Sequence, residues 1–171
     1  WADKAETALR RLGYTVLDGS GFTCCGGTLH HAGQFRAMNA ARERNAATWS
    51  EMGKPRVVTI CASCRHSLAG YPAESFSDGD AWKTRLAPLS ALLRGTRAET
   101  LPEKPVRYGY HQPCHQEQDE DMPFLAEIMP GLEKGTEDCC GMGGILKMTD
   151  PDLSRDMARA CLEGMPEKAG H

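Results

Sequence analysis

The stretch "PRVVTICASC", residues 55–64, joins a short apolar run to a Cys-x-x-Cys motif. Its β-branched residues predict a buried strand at 56–60, and a helix is predicted to begin near Ala62. Cys61 would then follow the carboxyl end of the strand, with Cys64 in the first helical turn. Because open α/β sheets bind ligands at that edge, the stretch predicts a thiol site at the rim of a parallel sheet.

Helices and strands alternate on both sides of this stretch, which is typical of parallel sheets covered by helices. The predicted fold class is α/β, with two similar halves, each a small parallel sheet flanked by helices and with cysteines at the carboxyl ends of strands. The other predicted elements are helix 3–11, strand 14–18, helix 34–52, a loop at 70–79, helix 82–93, strand 106–110, helix 122–128 and a last helix from 150 to about 164.

A repeat relates the two halves. "FTCCGG" at 22–27 and "DCCGMGG" at 138–144 superpose when the sequence is shifted by 115 positions, and a long helix follows each of them. We predict a first repeat at 1–95, a linker at 96–105 and a second repeat at 106–171. The same shift places counterparts of Cys61 and Cys64 after His171, and a counterpart of Cys114 just before Trp1. The sequence therefore indicates a piece of a longer protein.

Composition excludes several classes of protein. The chain has 171 residues with 20 basic and 23 acidic side chains, and no long basic block that would bind nucleic acid. No window approaches the 18 apolar residues of a membrane span. A cytoplasmic protein is predicted, in which clustered thiols serve metals or redox chemistry more often than disulfides, since adjacent cysteines bridge to each other only with distorted geometry.

Seven cysteines are candidate ligands of a metal or cluster. The side chains of adjacent cysteines diverge, which suits two irons of a cluster better than one small ion, whereas structural zinc usually takes spaced cysteine pairs. Gly26 and Gly141 would bring backbone N–H groups close to the sulfurs. A structural zinc module and a dithiol–disulfide oxidoreductase using Cys61 and Cys64 remain alternatives. The candidate ligands are Cys24, Cys25, Cys61, Cys64, Cys114, Cys139 and Cys140.

Three further residues receive structural interpretations. Cys161 lies inside the last predicted helix, at a position where the first repeat has no thiol, so we expect it to pack rather than to bind metal. His111 and His115 flank Cys114, and each is expected to form structural hydrogen bonds rather than to carry a proton beside a cluster.

With these motifs in view, the chain resembles the cysteine-rich CCG domain family. That family includes iron–sulfur subunits of heterodisulfide reductase, of glycolate oxidase and of anaerobic glycerol-3-phosphate dehydrogenase, together with lactate-utilisation iron–sulfur proteins. The family pattern is a cysteine, then Cys-Cys-Gly, then Cys-x-x-Cys, usually in two copies. Here the first copy lacks its leading cysteine and the second lacks its closing Cys-x-x-Cys.

The resemblance implies an oxidoreductase subunit or domain rather than a complete enzyme. It implies iron–sulfur clusters, of the non-cubane 4Fe–4S type in heterodisulfide reductase, that pass electrons between a flavin-bearing partner and a quinone or disulfide acceptor. No ferredoxin-like cysteine motif is present, so a ferredoxin-like domain elsewhere would deliver electrons. Partners would hold the protein at the inner face of the membrane. Because terminal ligands are missing, a site that is empty or loaded with zinc is also expected.

Overall fold

The fold was obtained as a computed structural model that describes residues 2–76, 79–96, 107–116 and 121–166. It is a mixed α/β structure with two small parallel sheets flanked by helices, as predicted. The predicted linker, apart from residue 96, lies outside the described residues. Within the part of the chain that the structure describes, no helix is long and apolar enough to cross a membrane.

The first half contains most of the helices. They are α1 (Ala2–Arg11), α2 (Gly27–His31), α3 (Phe35–Glu51), α4 (Ala62–Ala69), α5 (Gly79–Arg85) and α6 (Leu89–Leu93), with a 3-10 turn at Ala73–Ser75. Strand β1 (Val57–Thr59) pairs in parallel with β2 (Leu86–Pro88), with Val57 opposite Leu86.

The second half contains the other described sheet. Strand β3 (Tyr108–Tyr110) pairs in parallel with β4 (Leu132–Lys134), and Tyr108 lies opposite Leu132. Its helices are α7 (Met122–Ile128), α8 (Leu146–Thr149) and α9 (Pro151–Glu163). Helix α9 begins as predicted, because the Asp150 carboxylate accepts a hydrogen bond from the backbone N–H of Leu153 at 3.0 Å and proline occupies the first turn.

Two predicted elements are corrected. Residues 14–18 are not a strand, because no described strand pairs with them and an isolated extended segment has no ladder of hydrogen bonds. The predicted helix 82–93 is divided into α5, β2 and α6. Its central residues, Leu86–Pro88, are extended because they form hydrogen bonds with β1, a contact that local propensity does not reveal.

Aromatic side chains form the core of the first half. Trp49 and Trp82 are fully buried, and their rings meet edge to face with centroids 5.2 Å apart. Phe76 stacks on Trp82 at 4.7 Å. The indole N–H of Trp49 donates to the Pro55 carbonyl at 2.8 Å, and that of Trp82 donates to the Leu68 carbonyl at 2.8 Å. The core therefore connects α3 to the start of β1 and to the end of α4.

Polar side chains connect the two halves. The Ser90 hydroxyl of α6 donates to the Asp121 carboxylate at the start of α7. The Gln116 side-chain amide donates to the other Asp121 oxygen at 3.1 Å, and both Ser90 and Gln116 are more than nine-tenths buried. These bonds tie the segment that carries Cys114 to the first half.

Candidate functional site

The first pair of cysteines stands at the start of α4. Strand β1 ends at Thr59, and Cys61 is the N-cap of the helix, where its sulfur accepts a hydrogen bond from the backbone N–H of Cys64 at 3.4 Å. The strand-to-helix junction thus presents Cys61 and Cys64 on one helical turn.

The second pair lies in a tight turn before α2. Gly26 has φ +83°, a backbone conformation that glycine adopts without strain, and its N–H donates to the Cys24 sulfur at 3.5 Å. A side chain at Gly27 would collide with the Ser67 hydroxyl of α4. Gly27 therefore lets the cysteine turn approach α4 closely, whereas a side chain at Gly26 would meet Met38 of α3. The N–H of Gly26 lies beside a sulfur, as the sequence predicted.

Asn45 holds this turn from α3. It is 1% exposed, and its side chain accepts from the Thr23 N–H at 2.7 Å and donates to the Cys24 carbonyl at 3.2 Å and to the Tyr71 hydroxyl at 2.9 Å. The Tyr71 hydroxyl in turn donates to the Cys25 carbonyl at 3.1 Å. Sequence reasoning missed Asn45, although a polar residue on the same helical face as Met38 and Trp49 was the available signal.

Replacing Asn45 with alanine is expected to lower the free energy of unfolding by about 1–3 kcal/mol, because buried backbone groups of the turn lose their partners. The Asn39→Ala variant is the matched control, since Asn39 is exposed on the same helix. Denaturant unfolding of both proteins measures the difference. Equal losses of stability in the two variants would show that the Asn45 bonds do not hold the turn.

The two cysteine pairs of the first half converge. The Cys25 and Cys64 sulfurs lie 3.4 Å apart, although 39 positions separate them in the chain. Cys24 and Cys61 line the same cavity, which has a volume of about 1010 Å³. Among the described residues, no three Cys, His, Asp or Glu side chains form a group sized for one metal ion. The structure thus brings the four thiols of the predicted first site to one cavity, and their assignment as ligands stays a prediction.

Burial and neighbouring thiols keep the Cys64 proton in place. Burial raises the pKa of Cys64, and hydrogen bonding and charge repulsion from Cys25 and Cys61 raise it further, to about 12 from an ordinary 9.0. Thiols gathered in this way ionise together only when a positive charge compensates them. This is the electrostatic setting in which a bound cation displaces protons from cysteine ligands.

The second Cys-Cys-Gly turn reproduces the geometry of the first. Gly141 has φ +68°, and its N–H donates to the Cys139 sulfur at 3.5 Å, the same distance as between Gly26 and Cys24. The Ser154 hydroxyl of α9 donates to the Gly141 carbonyl at 2.8 Å. The repeat seen in the sequence is therefore also a repeat of the turn and of its hydrogen bond to sulfur.

A methyl group at Gly141 is expected to break this packing. A Cβ there would lie 2.7 Å from the Ser154 carbonyl oxygen and 2.9 Å from the Met157 Cβ, in a left-handed backbone conformation. We expect Gly141→Ala to lower the free energy of unfolding by about 2 kcal/mol or more. Gly143→Ala is the control, because a Cβ at Gly143 meets nothing within 4 Å. A Gly141→Ala protein that unfolds at the same denaturant concentration as this control would contradict the packing.

Cys114 lies in the turn after β3 and is exposed. A ring nitrogen of His111 hydrogen-bonds to the Asp138 carbonyl at 2.8 Å, so the Cys114 segment is tied to the residue that precedes Cys139. Cys114, Cys139 and Cys140 do not form a group that could hold a single metal ion within the described parts of the chain. Their assignment as ligands stays a prediction.

His115 lies between the halves. Its Nδ1 is 3.0 Å from the Ser63 hydroxyl, and its ring stacks on that of His66 with centroids 5.0 Å apart. Burial and the charges of His66 and His31 lower the pKa of His115. His115 and His111 thus both make connections between segments, which agrees with their structural interpretation.

Cys161 is 4% exposed on α9. Burial is the largest cause that raises the pKa of Cys161, and the charges of Cys140, Asp138 and Cys139 raise it further. A buried thiol that keeps its proton fits the packing role expected of it.

Part of the chain matches a known family model. Residues 2–69 match the CCG family model, described as a cysteine-rich domain. The resemblance seen in the sequence is confirmed. No solved structure gave a significant match. The CCG match covers the first Cys-Cys-Gly turn and the Cys-x-x-Cys of α4, which are the two segments that converge in the first half.

Curated relatives extend the similarity over most of the chain. It is 27% identical over 162 residues to a subunit of the fumarate reductase (CoM/CoB) of Methanothermobacter marburgensis, covering 88% of this chain and 31% of that protein. It is 26% identical over 159 residues to an uncharacterized iron–sulfur protein of Methanocaldococcus jannaschii, covering 88% and 30%. It is 27% identical over 180 residues to lactate utilization protein A of Shouchella clausii, covering 95% and 71%. The chain thus spans about a third of the length of the first two.

Proposed function

We propose that the chain is an iron–sulfur electron-transfer module of an oxidoreductase complex. Cys24, Cys25, Cys61 and Cys64 would hold the cluster of the first half. Cys114, Cys139 and Cys140 would contribute to a second cluster. The partners would be a flavin-bearing subunit or domain and a ferredoxin-like domain, and the acceptor a quinone or a disulfide. Two of the relatives carry names that support the proposal, one an iron–sulfur protein and the other a reductase subunit.

One observation carries the proposal. Two segments, one after β1 and one before α2, bring four thiols to a single cavity, with the Cys25 and Cys64 sulfurs 3.4 Å apart. Thiolates are the protein ligands that iron–sulfur clusters take. The donor set therefore fits the cluster, which when bound would accept and release single electrons.

The chain's own residues would tune such a cluster. The N–H groups of Gly26 and Gly141 each donate to a cysteine sulfur, and hydrogen bonds of this kind shift the reduction potential of a cluster. Asn45 fixes the backbone around Cys24, so the direction of the cysteine turn is set by a buried side chain of α3. The adjacent Cys24 and Cys25 suit neighbouring irons of a larger cluster. The resemblance to the CCG family implies that this cluster is of the non-cubane 4Fe–4S type.

The pKa of Cys64 disfavours this residue as the attacking thiol of the dithiol-exchange alternative. Exchange begins with attack by a thiolate, and the optimum attacking thiol has a pKa near the ambient pH. Because folding raises the pKa of Cys64 to about 12, this residue is a poor nucleophile in the metal-free protein.

Folding and ionisation of Cys64 are linked, which gives a pH prediction. The folded protein binds this proton more tightly than the unfolded chain, whose cysteines ionise near 9.0. The stabilisation is complete below pH 9 and is lost as the pH rises towards 12. Unfolding of metal-free protein at stepped pH should show this decline, and a Cys64→Ala variant should show a shallower one. Identical pH profiles would contradict the raised pKa.

Metal analysis of the full-length protein tests the proposal. Protein isolated without oxygen is expected to be brown and to contain several irons and acid-labile sulfides, and its visible absorption should bleach on reduction. Stoichiometric zinc with no sulfide would replace the proposal with a structural zinc module. Colourless protein without either metal would end both interpretations.

A further inference from the structure

Two sulfurs of the first thiol site are in contact with each other. The Cys25 and Cys64 sulfurs lie 3.4 Å apart, whereas Cys61 meets Cys64 through a backbone N–H that donates to the Cys61 sulfur. A disulfide bond is about 2.05 Å long, so closure between Cys25 and Cys64 requires an approach of about 1.4 Å. The contact therefore favours a bond between the two segments of the site over one within the Cys-x-x-Cys motif.

The backbone on both sides of this contact is anchored in the core. Cys64 lies in the first turn of α4, and Leu68, one turn further on, is buried in the aromatic core. The Cys25 carbonyl accepts a hydrogen bond from the Tyr71 hydroxyl at 3.1 Å, and Cys25 packs against the same core. The fold itself thus holds the two thiols at contact distance.

Small molecules have access to this pair. Cys25 and Cys64 are each half-buried, and both line the cavity of about 1010 Å³. Cys24 and Cys61 are exposed and line the same cavity. A cavity of this volume admits a small organic molecule. A low-molecular-weight disulfide therefore reaches sulfurs that already have a protein thiol beside them.

We propose that Cys25 and Cys64 of the metal-free protein form a reversible disulfide by exchange with a low-molecular-weight disulfide. The bond closes the first thiol site, because two of its four sulfurs are then no longer available as ligands. An excess of thiol breaks the bond and reopens the site. The disulfide itself requires no metal, whereas its effect on cluster loading rests on the proposed function.

The exchange consists of two balanced steps. The Cys25 thiolate attacks one sulfur of the small disulfide, whose S–S bond breaks, and the released thiolate takes up the proton that Cys25 lost. Cys64 then attacks the Cys25 sulfur of this mixed disulfide, its proton passes to the leaving sulfur, and the second small thiol departs. Two protein thiols are oxidised, and one small disulfide is reduced to two thiols. Although Cys64 is a poor nucleophile, its sulfur already contacts that of Cys25, and such proximity accelerates an intramolecular attack.

The test uses metal-free full-length protein incubated with glutathione disulfide. Free thiols are then alkylated, and intact mass spectrometry follows the loss of two hydrogens without a retained glutathione. Cys25→Ser and Cys64→Ser should each slow formation of the bond by about tenfold or more, because the contact pair is lost. Cys24→Ser and Cys61→Ser are the matched controls, since each removes a neighbouring thiol of the same cavity and leaves the pair intact. Equal slowing in all four variants would overturn the proposal.

Mapping of the bond in the unaltered chain keeps the test decisive when a serine variant fails to fold. Fragmentation of the cross-linked peptides should place the bond between Cys25 and Cys64 in folded protein. In denaturant the same exchange should give several pairings, because the contact no longer exists. A bond that joins Cys61 to Cys64 in the folded protein, or glutathione retained on single cysteines with no internal bond, contradicts the proposal.

A second arm separates the disulfide from the proposed function. Oxidised and reduced metal-free proteins are given ferrous iron and sulfide, and their iron content is compared before and after addition of dithiothreitol. The oxidised protein should take up less iron until the reductant is added. Equal uptake with the bond still intact shows that the disulfide does not close the site. A disulfide that forms in a protein that takes up no iron in either state would leave the bond established and remove the proposed function.

Discussion

Loss of nearly all iron from the first site is the expected result of Cys25→Ser in the full-length protein. The Cys25 sulfur contacts that of Cys64 at 3.4 Å, so it lies where the two segments of the site meet. Removal of a ligand should cost more affinity than the roughly 10- to 100-fold lost with a hydrogen-bonding partner around a metal. Iron and sulfide analysis after anaerobic isolation, with the visible spectrum, measures the effect.

Cys161→Ala is the matched control for this variant. Cys161 is buried on α9 in the other half and is expected to pack rather than to bind the first cluster. The control should retain the iron of the first site. A Cys25→Ser protein with the iron content of the control would remove Cys25 from the ligand set.

Trp49→Ala is expected to produce the largest loss of stability. Trp49 is fully buried, meets Phe76 and Trp82 edge to face, and donates its N–H to the Pro55 carbonyl. Replacing a buried tryptophan with alanine costs about 3–5 kcal/mol, a large part of the roughly 5–15 kcal/mol that stabilises a domain. Because Pro55 precedes β1, the loss should also loosen the strand that leads to Cys61.

Denaturant unfolding of metal-free protein measures this cost. Phe35→Ala is the control, since Phe35 is an aromatic residue of the same helix with 55% exposure. It should change the free energy of unfolding by less than about 1 kcal/mol. Comparable losses in both variants would mean that the aromatic cluster is not the core of the first half.

The sequence predicted elements whose stability is local. Helix α7 has the predicted bounds, and α3 and α9 agree within about two residues, because caps, prolines and glycines mark their ends. Elements that depend on distant partners were not predictable in this way. Strand β2 is a three-residue run whose extended form depends on β1, and residues 14–18 have a strand pattern without a described strand to pair with.

The same distinction applies to the site. Cysteine spacing and the order of strand and helix were enough to bring Cys24 and Cys25 towards Cys61 and Cys64. The role of Asn45 was not predictable, because its three-way hydrogen bonding depends on how α3 crosses the cysteine turn. Spacing identifies which thiols meet, whereas tertiary packing decides which neutral side chain orients them.

Anomalous diffraction at the iron absorption edge, from crystals of the anaerobically isolated full-length protein, tests the central claim most directly. We expect strong iron peaks in the cavity that Cys24, Cys25, Cys61 and Cys64 line, in contact with the Cys25 and Cys64 sulfurs. A cavity with no iron peak in crystals whose iron lies elsewhere, or a peak that appears only at the zinc edge, would contradict it.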